Sequence, residues 1–167
     1  MDDRDVNLVA ALVLGLADAL ERAAEEAGAP GSTVASALTT ILFNPGERID
    51  DLSRVLGITG SGTVRLVDRL VRDGLVERRH GTDRRSVALW LTAAGETSAW
   101  QIVAARREVL RRALAPVDEA QRQTLAAAAE SVLAGLAVDR QRADRICRLC
   151  DYLACPQDRC PVELAVS

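Results

Sequence analysis

The fold of this chain is decided between residues 52 and 92, which read LSRVLGITGSGTVRLVDRLVRDGLVERRHGTDRRSVALWLT. A short apolar helix ends at Gly57, where a glycine permits a tight change of chain direction. Thr59 has the side chain of a good N-cap and predicts a second helix over residues 60–72. This order predicts two short helices that cross steeply, with the N-terminal end of the second helix projecting outward.

A β-hairpin follows the second helix. Residues 75–79 and 86–91 predict two short strands, the second with alternating apolar side chains, and the loop between them is polar and rich in turn residues. Helix, glycine turn, helix and hairpin in this order are typical of a winged helix-turn-helix. Residues 45–92 are therefore predicted to be a DNA-binding module whose wing is the hairpin.

Helical periodicity dominates the rest of the chain. We predict a mainly α fold in which the module is flanked by residues 1–44 and 93–140, with residues 141–167 as a separate tail. Apolar stripes on residues 5–27 and 118–138 lie outside the small module, which has no surface to bury both. They predict a homodimer, the alternative being that these helices pack on their own module.

Composition, charge and the set of chemically reactive residues further limit the classes of function that we expect. The chain has 167 residues, of which 49% are apolar, but no apolar run long enough to cross a membrane and an acidic N-terminus unlike a secretory signal. We therefore expect a cytoplasmic protein. The net charge is −3, yet residues 60–90 hold seven Arg against four acids, a local excess that suits a polyanion. With one His, no glycine-rich phosphate loop and no nucleophile–base set, an enzyme is not expected.

The second helix and the wing supply the residues expected to contact double-stranded DNA. Arg65 can fork onto a guanine edge, and Thr63 can meet a thymine methyl group or a phosphate. An Arg on a narrow loop suits the strongly negative minor groove. The full predicted set is Ser61, Thr63, Arg65, Arg69 and Arg72 on the helix, and Arg84 and Arg85 on the wing.

The tail holds every cysteine of the chain, in the spacing C-x2-C-x4-C-x4-C. Four thiols this close favour a metal centre over disulfides. The predicted ligands are Cys147, Cys150, Cys155 and Cys160. A tetrahedral zinc site is favoured, and a [4Fe-4S] cluster is the alternative, since compact motifs that end in Cys-Pro also hold such clusters.

Residues 52–92 resemble the MarR family of bacterial winged helix-turn-helix transcription regulators. The resemblance rests on LSRVLGI at 52–58, GTVRLVDRL at 62–70, GLVER at 74–78 and the DRR of the wing at 83–85. It implies an obligate homodimer on a pseudo-palindromic operator, Arg85 in the minor groove and Asp83 supporting the wing. It also implies repression that is relieved by a small-molecule effector, an oxidant or a metal. The four-cysteine tail departs from the family's common pattern.

Two other functions stay open on the sequence alone. A redox or electron-transfer protein would carry its activity on an iron–sulfur cluster in the tail. A winged-helix interaction protein would bind a protein partner and no DNA.

Overall fold

The computed structural model describes residues 1–80 and 87–167, and it is mainly helical with one small antiparallel sheet, as the sequence predicts. The helices are α1 (Asp3–Glu26), α2 (Ser32–Phe43), α3 (Ile49–Leu56), α4 (Gly60–Arg72), α5 (Ala93–Ala113), α6 (Glu119–Leu136), α7 (Arg140–Cys147) and α8 (Pro161–Leu164). None of the described helices combines the length and the apolar composition needed to cross a bilayer.

The sheet has three strands, β1 (Glu47–Arg48), β2 (Val76–His80) and β3 (Val87–Leu91), in the order β1-β3-β2. The hairpin pairs Val76 with Leu91 and His80 with Val87. β1 pairs with the other edge of β3 and was not predicted, because two residues are too short to show an alternating pattern.

The main core lies where α2 crosses the helix-turn-helix. The middle of α2 is buried on all sides, and it packs with apolar side chains from α3, α4, β2 and β3 of the winged module. The largest of these fully buried side chains are Leu38, Ile41, Leu52, Leu70 and Leu89. This burial fixes α3, α4 and the sheet in one unit.

The turn between α3 and α4 is built by local hydrogen bonds. Gly57 has a left-handed backbone with φ of 64°, which a residue with a Cβ rarely adopts. The Ser53 hydroxyl donates to the Ile58 carbonyl at 2.8 Å, and Thr59 caps α4 by accepting from the Gly62 amide at 3.2 Å. The predicted glycine turn and N-cap are therefore both present.

The tail is folded, which the sequence analysis did not predict. After Asp139, which caps α7, the chain forms α7, a 3-10 turn at Gln157–Arg159 and α8. A second, smaller core forms here from the buried residues Ala137, Ala143, Cys160 and Val162. Leu133 of α6 packs against this core, so the stripe predicted on α6 is divided between the tail and solvent.

One close backbone contact joins the hairpin to α5. A Cβ at Gly95, in the first turn of α5, would lie 1.9 Å from the Leu75 carbonyl oxygen. Thr92 caps α5 by accepting from the Gly95 amide at 3.1 Å, and its hydroxyl donates to the Gly74 carbonyl at 2.6 Å. The end of α4, the hairpin and α5 therefore meet at one crowded point.

Gly95→Ala is expected to lower the free energy of unfolding by about 1–3 kcal/mol, because the new methyl group overlaps a backbone atom that cannot move alone. Thermal and urea denaturation measure the change. The matched control is Gly15→Ala in α1, where a Cβ meets open space. The control is expected to be neutral or slightly stabilising, since alanine favours helix; equal loss in both variants would contradict the contact.

Candidate nucleic-acid interface and cysteine cluster

α4 has one face in the core and one face toward solvent. The buried face consists of Thr63, Val67 and Leu70, spaced four and three residues apart. The outward face runs along the helix and is made of Ser61, Val64, Arg65, Asp68, Arg69, Val71 and Arg72. The predicted residues Ser61, Arg65, Arg69 and Arg72 thus lie together on one exposed surface, which we call the α4 face.

The prediction that Thr63 presents its side chain to DNA is wrong. Thr63 is 0% exposed, and its hydroxyl donates to the Thr59 carbonyl one turn earlier at 3.1 Å. Val64, which the sequence analysis passed over, is 40% exposed and takes the outward place. The 3.6-residue period of the helix indicates that Thr63 is buried and Val64 is exposed, because a helix that buries positions 67 and 70 also turns position 63 inward.

The arginines of the α4 face differ in their partners. Among the described residues, Arg65 and Arg72 have no carboxylate within ion-pair distance. Arg69 lies 3.9 Å from the Asp73 carboxylate, and Asp68 accepts from Arg78 of β2 at 2.7 Å. Two guanidinium groups are therefore free to bind an external acceptor, while Asp68 ties α4 to the hairpin.

The described part of the wing is polar and exposed. In β2, Arg79 stacks over the Trp90 ring at 4.7 Å and pairs with Glu77, and His80 lies exposed at the end of the strand. The three predicted wing residues, Asp83, Arg84 and Arg85, lie outside the described residues.

The four predicted metal ligands come together in the tail. The neighbouring thiols act on one another's pKa: Cys150, ahead of burial, raises that of Cys147, and burial followed by Cys160 raises that of Cys155. All four line one cavity of about 330 Å³. We call these residues the cysteine cluster.

The cluster is a set of cysteines around one cavity and not a closed cage. In residues 1–80 and 87–167, no group of three or more His, Cys, Asp or Glu side chains meets the geometry of a metal site as it stands. Contact with the Cys147 thiol lowers the pKa of Cys150, and the Arg106 guanidinium acts in the same direction, against the effect of burial. Cys150 is thus the thiol that its surroundings bring toward the thiolate form.

The opposite wall of the cavity belongs to the helix-turn-helix unit. Glu47 of β1 and Asp51 and Arg54 of α3 line it. Burial, followed by the nearby Asp51 carboxylate, raises the pKa of Glu47 to about 7. The cysteine cluster therefore lies between the tail and the first helix of the predicted DNA-binding module, and not at a free chain end.

Specific contacts hold the tail in this position. α7 packs against α3. An Arg145 Nη donates to the carbonyl of Gly57, in the turn before α4, at 3.3 Å. Arg106 of α5 donates to the Leu149 carbonyl, and the Tyr152 ring lies 5.3 Å from that of Phe43.

Two helices leave apolar surface uncovered within the described chain. α6 buries no residue fully, and the N-terminal half of α1 is exposed on every side. The exposed apolar side chains on these helices include Val6, Leu8, Val9, Leu12 and Val13 of α1, and Leu125, Val132 and Leu136 of α6. The predicted stripes thus do not pack on the chain's own winged module.

A known family model matches the part of the chain that contains the helix-turn-helix. Residues 30–86 match the model of the MarR family. That stretch contains α2, α3, α4 and β2, and hence the α4 face. No curated protein matches the sequence of this chain.

Solved structures extend the likeness to the fold of MarR-family transcription regulators. RV1404 from Mycobacterium tuberculosis is 27% identical, with a TM-score of 0.64 over 81% of this chain and 95% of that chain. A MarR family protein from Bacillus stearothermophilus is 23% identical, with a TM-score of 0.63 over 79% and 95%. MepR, a transcription regulator of a Staphylococcus aureus multidrug efflux pump, is 17% identical, with a TM-score of 0.66 over 77% and 96%.

Proposed function

We propose that this protein is a sequence-specific DNA-binding transcription regulator that acts as a homodimer. The observation that carries the proposal is the α4 face: a capped helix N-terminus and a stripe with two arginines that have no carboxylate partner in residues 1–80 and 87–167, inside a stretch that matches the MarR family. Such a helix fits the major groove, where its N-terminal residues reach the base edges.

The chemistry of the α4 face suits both bases and phosphates. Arg65, one turn into the helix, can bind O6 and N7 of a guanine with two hydrogen bonds. Val64 beside it can contact a thymine methyl group, the role that Thr63 was predicted to have. Ser61 lies at the helix N-terminus, which attracts phosphate, while Arg69 and Arg72 lie further along and suit backbone phosphates.

The wing extends the proposal to the minor groove. β2 ends and β3 begins on either side of residues 81–86, which the sequence predicts to be a loop and which include Arg84 and Arg85. An arginine on such a loop is attracted by the negative potential of a narrow minor groove. We assign Arg85 to that groove and Asp83 to the support of the wing, as the resemblance to the MarR family implies.

The uncovered helices support the dimer. A second copy of the chain would bury the apolar side chains that α1 and α6 expose. A two-fold axis between the copies would place two α4 faces one turn of DNA apart, about 34–36 Å, on a pseudo-palindromic operator. Repression is the proposed mode of action, since a dimer that covers a full turn of DNA excludes other proteins from that site.

Arg65→Ala is expected to weaken operator binding by about 1–3 kcal/mol and to relax the sequence preference, because a base contact is lost. Fluorescence anisotropy with the promoter DNA of its own gene and with variants of each operator position measures both effects. Arg22→Ala removes an equal charge from α1 and serves as the matched control. Unchanged affinity after the loss of Arg65 would contradict the assignment of α4 to the major groove.

Arg72→Ala is expected to act differently, since a phosphate contact is the same on every sequence. Affinity for operator and for unrelated DNA should fall together, and the slope of log affinity against log salt should decrease by about 1. Titrations at several salt concentrations test this. A loss confined to the operator would instead place Arg72 at a base edge.

Val132→Asp is expected to weaken the dimer more than about 10-fold, because it would bury an unpaired charge between the copies. Val132 is 60% exposed in the single chain, so its replacement leaves the fold of one copy unstrained. Analytical ultracentrifugation measures the dissociation constant, with Gln123→Asp on the polar side of α6 as the control. A wild-type monomer that binds a palindrome tightly would contradict the proposed assembly.

A further inference from the structure

Four thiols of this chain converge although they come from separate parts of the tail. Cys147 ends α7, Cys150 follows in a turn closed by its own amide on the Cys147 carbonyl at 2.8 Å, and Cys160 precedes α8. Cys155 is brought in by a turn in which its amide donates to the Asp151 carbonyl at 2.9 Å. Backbone hydrogen bonds thus set the positions from which the side chains meet.

The two candidate centres require different spacings of the sulfurs. In a tetrahedral zinc site with Zn–S bonds of about 2.3 Å, neighbouring sulfurs lie about 3.8 Å apart. In a [4Fe-4S] cube each thiolate binds a different corner, so the sulfurs are held further apart. The short spacing of the four cysteines in the chain, and the single cavity of about 330 Å³ that all four line, favour the smaller arrangement.

The cavity offers a divalent ion no better set of ligands than these sulfurs. Three of the four carboxyl groups that line the cavity are already bound by arginine: Asp51 by Arg54, and Asp144 and Glu163 by Arg140 at 2.8 and 2.7 Å, whereas Glu47 is not among these pairs. Arg106 donates to the carbonyl of Leu149, the residue before Cys150, and thus places a guanidinium group beside that ligand, where an outer partner fixes a ligand's orientation.

We propose that Cys147, Cys150, Cys155 and Cys160 bind one Zn²⁺ per chain, and that this ion holds α7 against the helix-turn-helix unit. Binding forms four Zn–S bonds, and the thiol protons pass to solvent without any change of oxidation state. The four side chains turn toward a common centre as the ion binds. The short loops between them keep the entropy cost of this closure small.

The ion is coupled to the α4 face through Arg145. This residue lies two positions before Cys147, and its guanidinium group occupies the space beside Gly57 that a Cβ would fill. When zinc orders α7, Arg145 is fixed at the turn from which α4 begins. Its guanidinium group then adds a positive charge next to that turn. This coupling, which rests on the proposed function, makes the zinc-loaded dimer the form that binds DNA more tightly.

The site is tested first without DNA. Reduced, full-length protein treated with chelator and titrated with ZnSO₄ should bind one zinc per chain, measured by atomic emission and by competition with a chromophoric chelator. Co²⁺ in its place should give the absorption of a tetrahedral thiolate complex. Cys150→Ser and Cys160→Ser should each lower zinc affinity more than about 10-fold.

The matched control is Ala154→Ser, which adds a hydroxyl group to the exposed turn between the ligands and removes no thiol. It should bind zinc as the wild type does. Four thiols that stay fully reactive in the presence of zinc would overturn the site. Brown protein with iron and acid-labile sulfide after anaerobic purification would overturn zinc in favour of the cluster.

The coupling is tested by DNA affinity with and without zinc. Zinc should raise operator affinity at least about fivefold in the wild type and in Ala154→Ser. Arg145→Ala should bind one zinc and lose this response. Equal DNA affinity with and without zinc in the wild type would overturn the coupling and leave the site intact. Zinc binding in a protein that binds no DNA would count against the proposed function alone.

Discussion

The turn at Gly57 is the constraint on which the rest of the structure depends. Its left-handed backbone sets the angle between α3 and α4, and thus decides which face of α4 enters the core. The missing Cβ also leaves room for the guanidinium group of Arg145 from the tail. A side chain at position 57 would both strain the turn and displace Arg145. The glycine therefore permits the contact that connects α4, the predicted DNA-reading helix, to the cysteine cluster.

Burial of one side of α4 decides what the other side can offer. Thr63, Val67 and Leu70 pack against the core. The orientation of α4 that buries them turns Val64 and Arg65 toward solvent. Asp68 is used internally, because its ion pair with Arg78 ties the helix to the hairpin. The α4 face therefore combines unpaired cations with an apolar side chain, a mixture that can distinguish bases as well as bind phosphate.

The tail covers the helix-turn-helix side of the molecule and leaves the apolar surfaces of α1 and α6 uncovered. α7 packs on α3, while Leu133 alone of the predicted α6 stripe is drawn into the tail's small core. A proposed dimer and a proposed metal site can therefore exist on one chain without competing for surface. The tail's charged side chains and thiols at the cavity face the module, and the exposed apolar side chains of α1 and α6 lie elsewhere.

The sequence by itself determined the order of the elements, the glycine turn, the caps at Thr59 and Thr92 and the MarR family resemblance. These depend on residues within a few positions of one another, where backbone preference and periodicity suffice. Periodicity also held the information that places Thr63 inside, although the sequence analysis did not use it. Only the tertiary structure brought Arg145 to Gly57, 88 positions away, and decided that the cysteine cluster lies against α3. Such contacts depend on how distant parts of the chain pack together, and a local sequence pattern does not encode that packing.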